Sequence, residues 1–254
     1  MLEDRMIEVR NVSYSYNGKV ALENVTFSSG DAFLAIMGPN GSGKTTLIKL
    51  IMGLLEQQKG EIKVFDMSPK EARHLIGYMP QRDAIAKHIP IQVKDIVLMG
   101  IAAKKFYSKE DIERAKEALE EIDSLHLWNE KFSSLSQGQQ QRVLFARALA
   151  KNPKMIILDE PFNAVDLPSR EKMVEVLKKK REEGVAIVAV VHNINPILHE
   201  IDEILLLNKK AIAFGTPKEV LNQENLRKAY GTDVQMIVCE EGYCHPLIGD
   251  EHAG

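Results

Sequence analysis

The chain has 254 residues, of which 44% are hydrophobic and 27% charged; this is typical of a folded protein with a substantial core and excludes a mainly disordered chain. Its formal net charge of −3 gives no general attraction to nucleic acid or anionic lipid, so we expect no nucleic-acid partner and only local phosphate binding. The longest unbroken apolar run, at 185–191, is far shorter than the roughly 20 residues that cross a bilayer.

The N-terminal sequence and the cysteine content indicate where in the cell the protein is expected. The opening stretch, MLEDRMIEVR, has neither the apolar run nor the cleavage site of a secretory signal. Cys239 and Cys244 are too few cysteines for a disulfide scaffold. We therefore expect a cytoplasmic protein.

The first predicted elements are strands. Apolar and polar residues alternate over 7–16, an Asn-Gly pair follows at 17–18, and alternation resumes over 20–27, which indicates a β-hairpin. FLAIM at 33–37 is a short apolar run of the kind buried on both faces of a sheet. Helical spacing then begins near residue 45 and ends near Gly53.

The sequence pattern predicts helices in the middle of the chain and strands again after it. Ser108 is a predicted N-cap, with Asp111 three residues later, for a helix over 108–122. The later predicted elements are a strand at 155–158, a helix at 169–183, a strand at 186–191 and a hairpin at 203–214.

This order predicts an α/β fold with a mainly parallel sheet, an N-terminal antiparallel β subdomain and an inserted α-helical subdomain. The predicted single domain spans 1–235, with its core at 1–81 and 151–235 and a helical lobe at 82–150. We expect a flexible tail at 236–254.

A glycine-rich segment, GPNGSGKT at 38–45, fits the pattern G-x-x-x-x-G-K-[ST] between a buried strand and a helix, which makes the core that of a P-loop NTPase. Its backbone N–H groups would surround phosphates, Lys44 would reach the terminal phosphates, and the Thr45 hydroxyl would bind Mg²⁺. The alternative, a chance glycine-rich turn, is disfavoured by the flanking elements. The predicted nucleotide ligands here are Gly38, Pro39, Asn40, Gly41, Ser42, Gly43, Lys44, Thr45 and Thr46.

A carboxylate pair follows the predicted strand at 155–158. Asp159 is placed to hold Mg²⁺, and Glu160 to act as the base that activates water. The pair could instead simply end a strand before the turn at Pro161, but the upstream P-loop favours the catalytic interpretation.

A glutamine-rich segment, LSQGQQQR at 135–142, precedes a buried helical pattern. Ser136 and Gly138 therefore lie at a second helix N-terminus with backbone donors for an anion. One P-loop holds one nucleotide, so this second site has no phosphate within the same chain.

Here the sequence resembles the ATP-binding cassette (ABC) family over nearly its whole length. LSQGQ is similar to the family's signature motif, usually LSGGQ, which completes the nucleotide site of a second, head-to-tail copy. The resemblance implies a homodimer in which Ser136, Gly138 and Gln139 meet ATP held by the partner. Gln137 departs from the usual glycine, so it requires ordinary backbone angles and a side chain turned away from phosphate.

Four further positions match the family. Tyr16 is placed like the aromatic that stacks on adenine, and Gln81 like the hinge glutamine that senses Mg²⁺ and the attacking water. Asp166 is placed like the loop aspartate that communicates across the dimer, and His192 like the histidine that contacts the γ-phosphate. Taken singly, each would more often be an ordinary packing or capping residue. Asn163 departs from the serine commoner in this loop.

The resemblance implies an ATPase subunit of an ABC transporter, with ATP and Mg²⁺ as cofactors. It implies integral membrane permease subunits, contacted near 82–100, a substrate-binding protein, and a peripheral location on the cytoplasmic face of the plasma (inner) membrane. IPIQVKDIVLMG and FGTPKEVL are similar to cassettes of zinc and manganese importers. Alternatives are an importer of an iron complex or cobalamin, a soluble ABC ATPase in DNA repair or translation, and a P-loop kinase or switch.

The tail carries potential soft-metal ligands, namely Cys239, Cys244, His245 and His252. Their C-x4-C-H spacing is not that of a standard zinc site. A metal-sensing tail is one hypothesis, and a flexible tail with incidental cysteines is the other.

Overall fold

The computed structural model describes residues 5–30, 33–81, 91–101, 106–163, 165–239 and 241–247. The chain falls into two compact units, the first formed by Met1–Arg73 with Val188–Gly254 and the second by His74–Ile187. Among the described residues, no helix has both the length and the hydropathy needed to span a bilayer.

The strands are β1 (Ile7–Tyr16), β2 (Lys19–Ser29), β3 (Phe33–Met37), β4 (Lys59–Val64), β5 (Ile76–Met79), β6 (Met155–Asp159), β7 (Ala186–Val190), β8 (Glu203–Asn208), β9 (Lys210–Gly215), β10 (Gln235–Val238) and β11 (Cys244–Leu247). The α-helices are α1 (Lys44–Ile51), α2 (Pro69–Ala72), α3 (Val93–Ile101), α4 (Lys109–Glu120), α5 (Gln137–Leu149), α6 (Leu167–Glu182), α7 (Pro217–Val220) and α8 (Gln223–Tyr230).

The N-terminal strands of the first unit form an antiparallel sheet in the order β2-β1-β4. The predicted hairpin is present: Asn17 and Gly18 have φ of 47° and 79°, the positive angles that a tight hairpin turn requires. Strand β4, which completes the sheet, was not predicted from the sequence.

The first unit also holds the strand that leads into the glycine-rich loop. All five residues of β3 are buried, and β3 pairs in parallel with β8, from Leu34 opposite Glu203 to Met37 opposite Leu206. Strand β9 continues from β8 as an antiparallel hairpin, and helices α7 and α8 pack against both. The loop that follows β3 is thus anchored on a buried strand.

The second unit combines a parallel strand pair with helices. Strand β5 pairs with β6, and helices α3, α4 and α5 pack on one another. The backbone of α5 approaches two glycines closely. A Cβ on Gly77 would lie 2.1 Å from the carbonyl oxygen of Ala148, and one on Gly100 would lie 2.0 Å from that of Arg147. Ser108 caps α4 in a capping box with Asp111, as predicted.

Both the unit boundaries and the tail differ from the predicted division. The second unit extends beyond the predicted lobe at 82–150, because α5 packs on β5 and brings the pair β5–β6 into the same unit. The tail was expected to be flexible, but β10 and β11 form an antiparallel hairpin in which Ile237 pairs with His245.

Candidate nucleotide site

The glycine-rich loop has a backbone that needs its glycines. Gly38 and Gly43 have φ of 152° and 102°. A Cβ would lie 2.0 Å from the carbonyl oxygen of Leu207 in the first case and 2.5 Å from that of Ala21 in the second. Gly43 is the N-cap of α1 and no side chain caps this helix, so its first N–H groups point into the loop.

The chain's own atoms hold this loop in shape. The Lys44 ammonium is buried and donates to the carbonyl oxygens of Gly38, at 2.7 Å, and Pro39, at 2.9 Å. The Lys209 N–H donates to the carbonyl oxygen of Ser42 at 2.7 Å. The Ser42 hydroxyl is buried and has no hydrogen-bond partner among the described residues, and a phosphate oxygen would supply one.

The other predicted positions around this loop are placed as follows. Asn40, Gly41 and Thr45 are exposed, whereas Thr46 is buried in α1. The Thr45 side chain at the helix start is therefore open to solvent, whereas Thr46, like Ser42, is buried.

Two further predicted residues belong to the same unit. Tyr16, at the end of β1, is 43% exposed and packs edge-on against Tyr14 with ring centroids 4.9 Å apart, so one face can accept a flat base. His192 follows Val191, whose N–H donates to the carbonyl oxygen of Ile36 on β3. The His192 segment thus starts beside the strand that leads into the loop.

In the second unit, Asp159 ends β6 with its side chain buried. Tyr78, on the neighbouring strand β5, interacts with this carboxylate. Burial and then the Asp159 charge raise the pKa of Tyr78 well above its usual value. Sequence reasoning missed Tyr78 because a tyrosine on a strand carries no catalytic signal until its partner is known.

Glu160 is the centre of a polar cluster in this unit. Its φ is 53°, an angle that non-glycine residues rarely adopt, and strained backbone of this kind is concentrated at functional sites. The side-chain amides of Gln81 and Asn163 both donate to Oε2 of Glu160, at 2.8 Å and 2.7 Å. The structure thus joins the predicted base to the predicted hinge glutamine, and adds Asn163, which the sequence showed only as a departure.

The signature segment starts α5 with Ser136 as N-cap. The Ser136 hydroxyl accepts from the N–H of Gln139, and the Gln139 side chain accepts from the N–H of Ser136, which together make a capping box. Gln137 is exposed and is not among the described residues with positive φ, as expected for a glutamine there.

The glutamines that follow have structural roles. Gln140 donates to the carbonyl oxygens of Phe132 and Leu135, and the buried Gln141 donates to that of Asn163. The hydrogen bonds of these two glutamines therefore fix the start of α5 to the neighbouring segments.

Two predicted positions from different segments meet here. A Cβ on Gly138 would lie 2.9 Å from Oδ2 of Asp166. Asp166 caps α6, and hydrogen bonds from the N–H and then the hydroxyl of Ser169 hold the pKa of this carboxyl below its usual value. Asp166 is thus ionised near neutral pH and borders the start of α5.

The predicted tail ligands are only partly brought together. Cys239 and His245 lie together with His199, which had not been predicted as a ligand. Cys244, also predicted as a potential ligand, is not in this group: adjacent strand residues face opposite sides, so Cys244 points away from the side of β11 that carries His245. His252 lies outside the described residues.

Residues 22–163 match the family model described as ABC transporter. The chain belongs to this family. The cassette is 37% identical over 230 residues to the manganese transport system ATP-binding protein MntB of Bacillus subtilis, covering 89% of this chain and 92% of that protein. It is 34% identical over 241 residues to the zinc transport system ATP-binding protein TroB of Treponema pallidum, covering 93% and 91%.

Among solved structures, the cassette resembles a dimeric, post-hydrolysis ATP-binding cassette bound to ADP and Pi. The TM-score is 0.72 and the identity 30%, covering 83% of this chain and 98% of that one. The predicted family, α/β fold class and ATPase class are confirmed, and the cassette is an ATP-binding protein.

Proposed function

We propose that this chain is the ATP-hydrolysing subunit of an ABC transporter that imports a divalent metal ion such as zinc or manganese. The observation that carries the ATPase part is the Glu160 carboxylate, which is held by two amides directly after the buried Asp159. The names of MntB and TroB, which match most of the chain, support the metal substrate.

The loop at 38–46 is proposed to bind the ATP phosphates, with Tyr16 stacking on adenine and His192 contacting the γ-phosphate. The proposed Mg²⁺ ligands are the Thr45 hydroxyl, the Asp159 carboxylate and the Gln81 amide oxygen, each an oxygen donor of the kind that Mg²⁺ prefers. Bound there, it would neutralise charge on the phosphates. We propose that Tyr78, which interacts with Asp159, helps to position this carboxylate.

Glu160 is proposed to act as the general base, taking a proton from the water that attacks the γ-phosphate. Because Gln81 and Asn163 both donate to Oε2, the carboxylate is held in a single orientation before the reaction starts. The amides thereby position the base without titrating themselves.

A second copy of the chain is proposed to complete each site. Ser136, Gly138 and Gln139 start α5, where N–H groups and the helix dipole favour an anion. The dimeric cassette with ADP and Pi supports this arrangement. Asp166, beside Gly138, is proposed to communicate across the dimer.

The energised transporter further requires membrane subunits. We propose that the cassette binds integral permease subunits at the cytoplasmic face of the plasma (inner) membrane, together with a substrate-binding protein. The contact is proposed near 82–100, of which 82–90 lie outside the described residues and 91–100 contain most of helix α3.

One experiment tests this function. The tagged chain is purified from gently solubilised membranes, and the complex is reconstituted for uptake of manganese, zinc, an iron complex or cobalamin. A co-purifying multi-span protein and ATP-dependent uptake of manganese or zinc are expected. Uptake of the iron complex or cobalamin instead would contradict the proposed metal-ion substrate. Purification of the chain without any membrane protein would favour a soluble ABC ATPase.

A further inference from the structure

A group of metal-binding side chains lies apart from the glycine-rich loop, in the first unit. His199 is on the 3₁₀ turn Leu198–Glu200, Cys239 follows β10, and His245 is on β11. Their ligand atoms all lie within 4.8 Å of one another. We propose that these three side chains form a zinc-binding site that fastens the C-terminal hairpin to the turn at His199.

The hydrogen bonds of the two imidazoles orient them for a metal. Nδ1 of His199 lies 2.9 Å from Oε2 of Glu241, and Nδ1 of His245 lies 3.2 Å from Oδ1 of Asn195. Both contacted groups are oxygen acceptors, so a hydrogen on each Nδ1 would satisfy both contacts and leave the lone pair of each Nε2 for a metal. Histidine ligands of metals are typically held in this way by an outer oxygen.

The spacing also fits a tetrahedral ion. Bond lengths of about 2.0–2.1 Å to nitrogen and 2.3 Å to sulfur place tetrahedral zinc ligands about 3.3–3.6 Å apart. Since the three ligand atoms lie within 4.8 Å of one another, each pair needs to close by about 1.2–1.5 Å at most, within reach of small side-chain rotations. The same bond lengths put two imidazole centroids about 5.2 Å apart, and those of His199 and His245 are 5.5 Å apart.

The backbone around Cys239 holds the site together. The Cys239 N–H donates to the carbonyl oxygen of Tyr243 and the Gly242 N–H donates to that of Cys239, which closes the hairpin turn. The Tyr243 ring packs edge-on against the His199 ring at 4.9 Å. The contacts that shape the site thus come from the hairpin and from the turn at His199 alike.

The donor set selects the kind of metal. One thiolate and two imidazoles suit zinc and similar borderline ions, whereas manganese prefers oxygen ligands. The side chain of His199 is 41% exposed and that of Glu241 is 70% exposed, so an ion can enter from solvent and a water can occupy the fourth position. The site is independent of the transported substrate and would stand even if the cassette served another importer.

The test is zinc binding by the full-length, reduced chain without nucleotide, in excess Mg²⁺ so that oxygen sites are filled. About one zinc per chain is expected. With cobalt(II) as a second probe, the thiolate-to-metal charge-transfer band and the intense visible bands of a tetrahedral ion are expected.

Substitutions assign the ligands. Cys239→Ser should abolish the charge-transfer band, and Cys239→Ser and His199→Ala should each weaken zinc binding by about 100-fold or more. Glu241→Ala, which removes the outer acceptor, should weaken it by about 10- to 100-fold. Cys244→Ser is the matched control and should retain both the band and the affinity.

Three results would overturn the site. They are a cobalt band that survives Cys239→Ser, an equal loss with Cys244→Ser, and zinc binding that is indifferent to His199→Ala. Because His199 and Cys239 lie on different segments, a folding defect in one variant leaves the other to decide.

Discussion

The side-chain amide of Asn163 donates a 2.7 Å hydrogen bond to Oε2 of Glu160, the oxygen that also accepts from Gln81. The residue that departs from the family's usual serine thus helps to position the proposed base. Its contribution can be separated from nucleotide binding, because it contacts the base and lies outside the glycine-rich loop.

Asn163→Ala is expected to lower kcat by about 3- to 30-fold and to leave KM for ATP within about twofold, since one hydrogen bond to a charged group is lost. Steady-state ATPase assays give both constants. Asn163→Ser, which keeps a hydroxyl donor, should recover part of the rate. A change confined to KM would contradict the positioning role.

Glu160→Gln is expected to retain ATP binding and to lose hydrolysis by about 10²- to 10⁴-fold, because an amide cannot accept the proton from water. The variant should accumulate as a dimer with ATP, which light scattering detects. Glu182→Gln, an exposed position on α6, is the matched control and should behave as the wild type. A monomeric Glu160→Gln protein in excess ATP would argue against the sandwich dimer.

Lys44→Ala is expected to weaken ATP binding by about 10- to 100-fold, the value of a charge-assisted hydrogen bond. Lys49→Ala, an exposed lysine on the same helix, should not change it. Calorimetric titration with ATP compares the two. Equal affinities would remove Lys44 from the phosphate site.

Tyr78→Phe removes the hydroxyl and keeps the ring, and so tests whether the interaction of Tyr78 with Asp159 positions this carboxylate. We expect the Mg²⁺ concentration for half-maximal ATPase activity to rise by about 10- to 100-fold, as for loss of a partner that orients a metal ligand. The rate at saturating Mg²⁺ should change less. An unchanged Mg²⁺ dependence would leave Tyr78 with a packing role alone.

Glu203→Gln is expected to stabilise the protein at neutral pH. Burial, opposed in part by the Ser29 hydroxyl that donates to the side chain, raises the pKa of Glu203, and the nearby Asp202 charge adds to this rise. A raised carboxyl pKa means that stability is highest below the unfolded pKa and falls as pH rises through the folded pKa.

Thermal unfolding measured across a range of pH checks the direction in which the stability changes. The Tm of Glu203→Gln should exceed that of the wild type at about pH 7, and the difference should vanish below about pH 4, where the carboxyl is protonated in both states. Glu182→Gln should show no such pH-dependent difference. A destabilised Glu203→Gln protein at neutral pH would mean that the ionised form is the favoured one.

Much of the local structure was predictable because short-range chemistry determines it. The Asn17-Gly18 turn, the buried strand β3 and the caps at Ser108 and Ser136 all follow from patterns within a few residues. The contact of Gln81 with Glu160 joins two segments that the sequence had identified separately, so only its geometry was new.

The remaining features depend on contacts between distant segments. Tyr78 is notable only because β5 pairs with β6, and His199 only because a hairpin brings Cys239 and His245 to it. The place of Cys244 outside this group has the same origin, since spacing along the chain does not state which face of a strand a side chain takes.

The bonds that Lys44 makes to its own loop have a consequence for turnover. Because two carbonyl oxygens already accept from the ammonium, the proposed binding of Lys44 to phosphate would exchange one set of acceptors for another, and the gain in free energy would be the difference between the two sets of bonds. The loop also needs little ordering when ATP arrives, which saves conformational entropy. A modest net affinity for nucleotide suits an ATPase, which has to release ADP in every cycle.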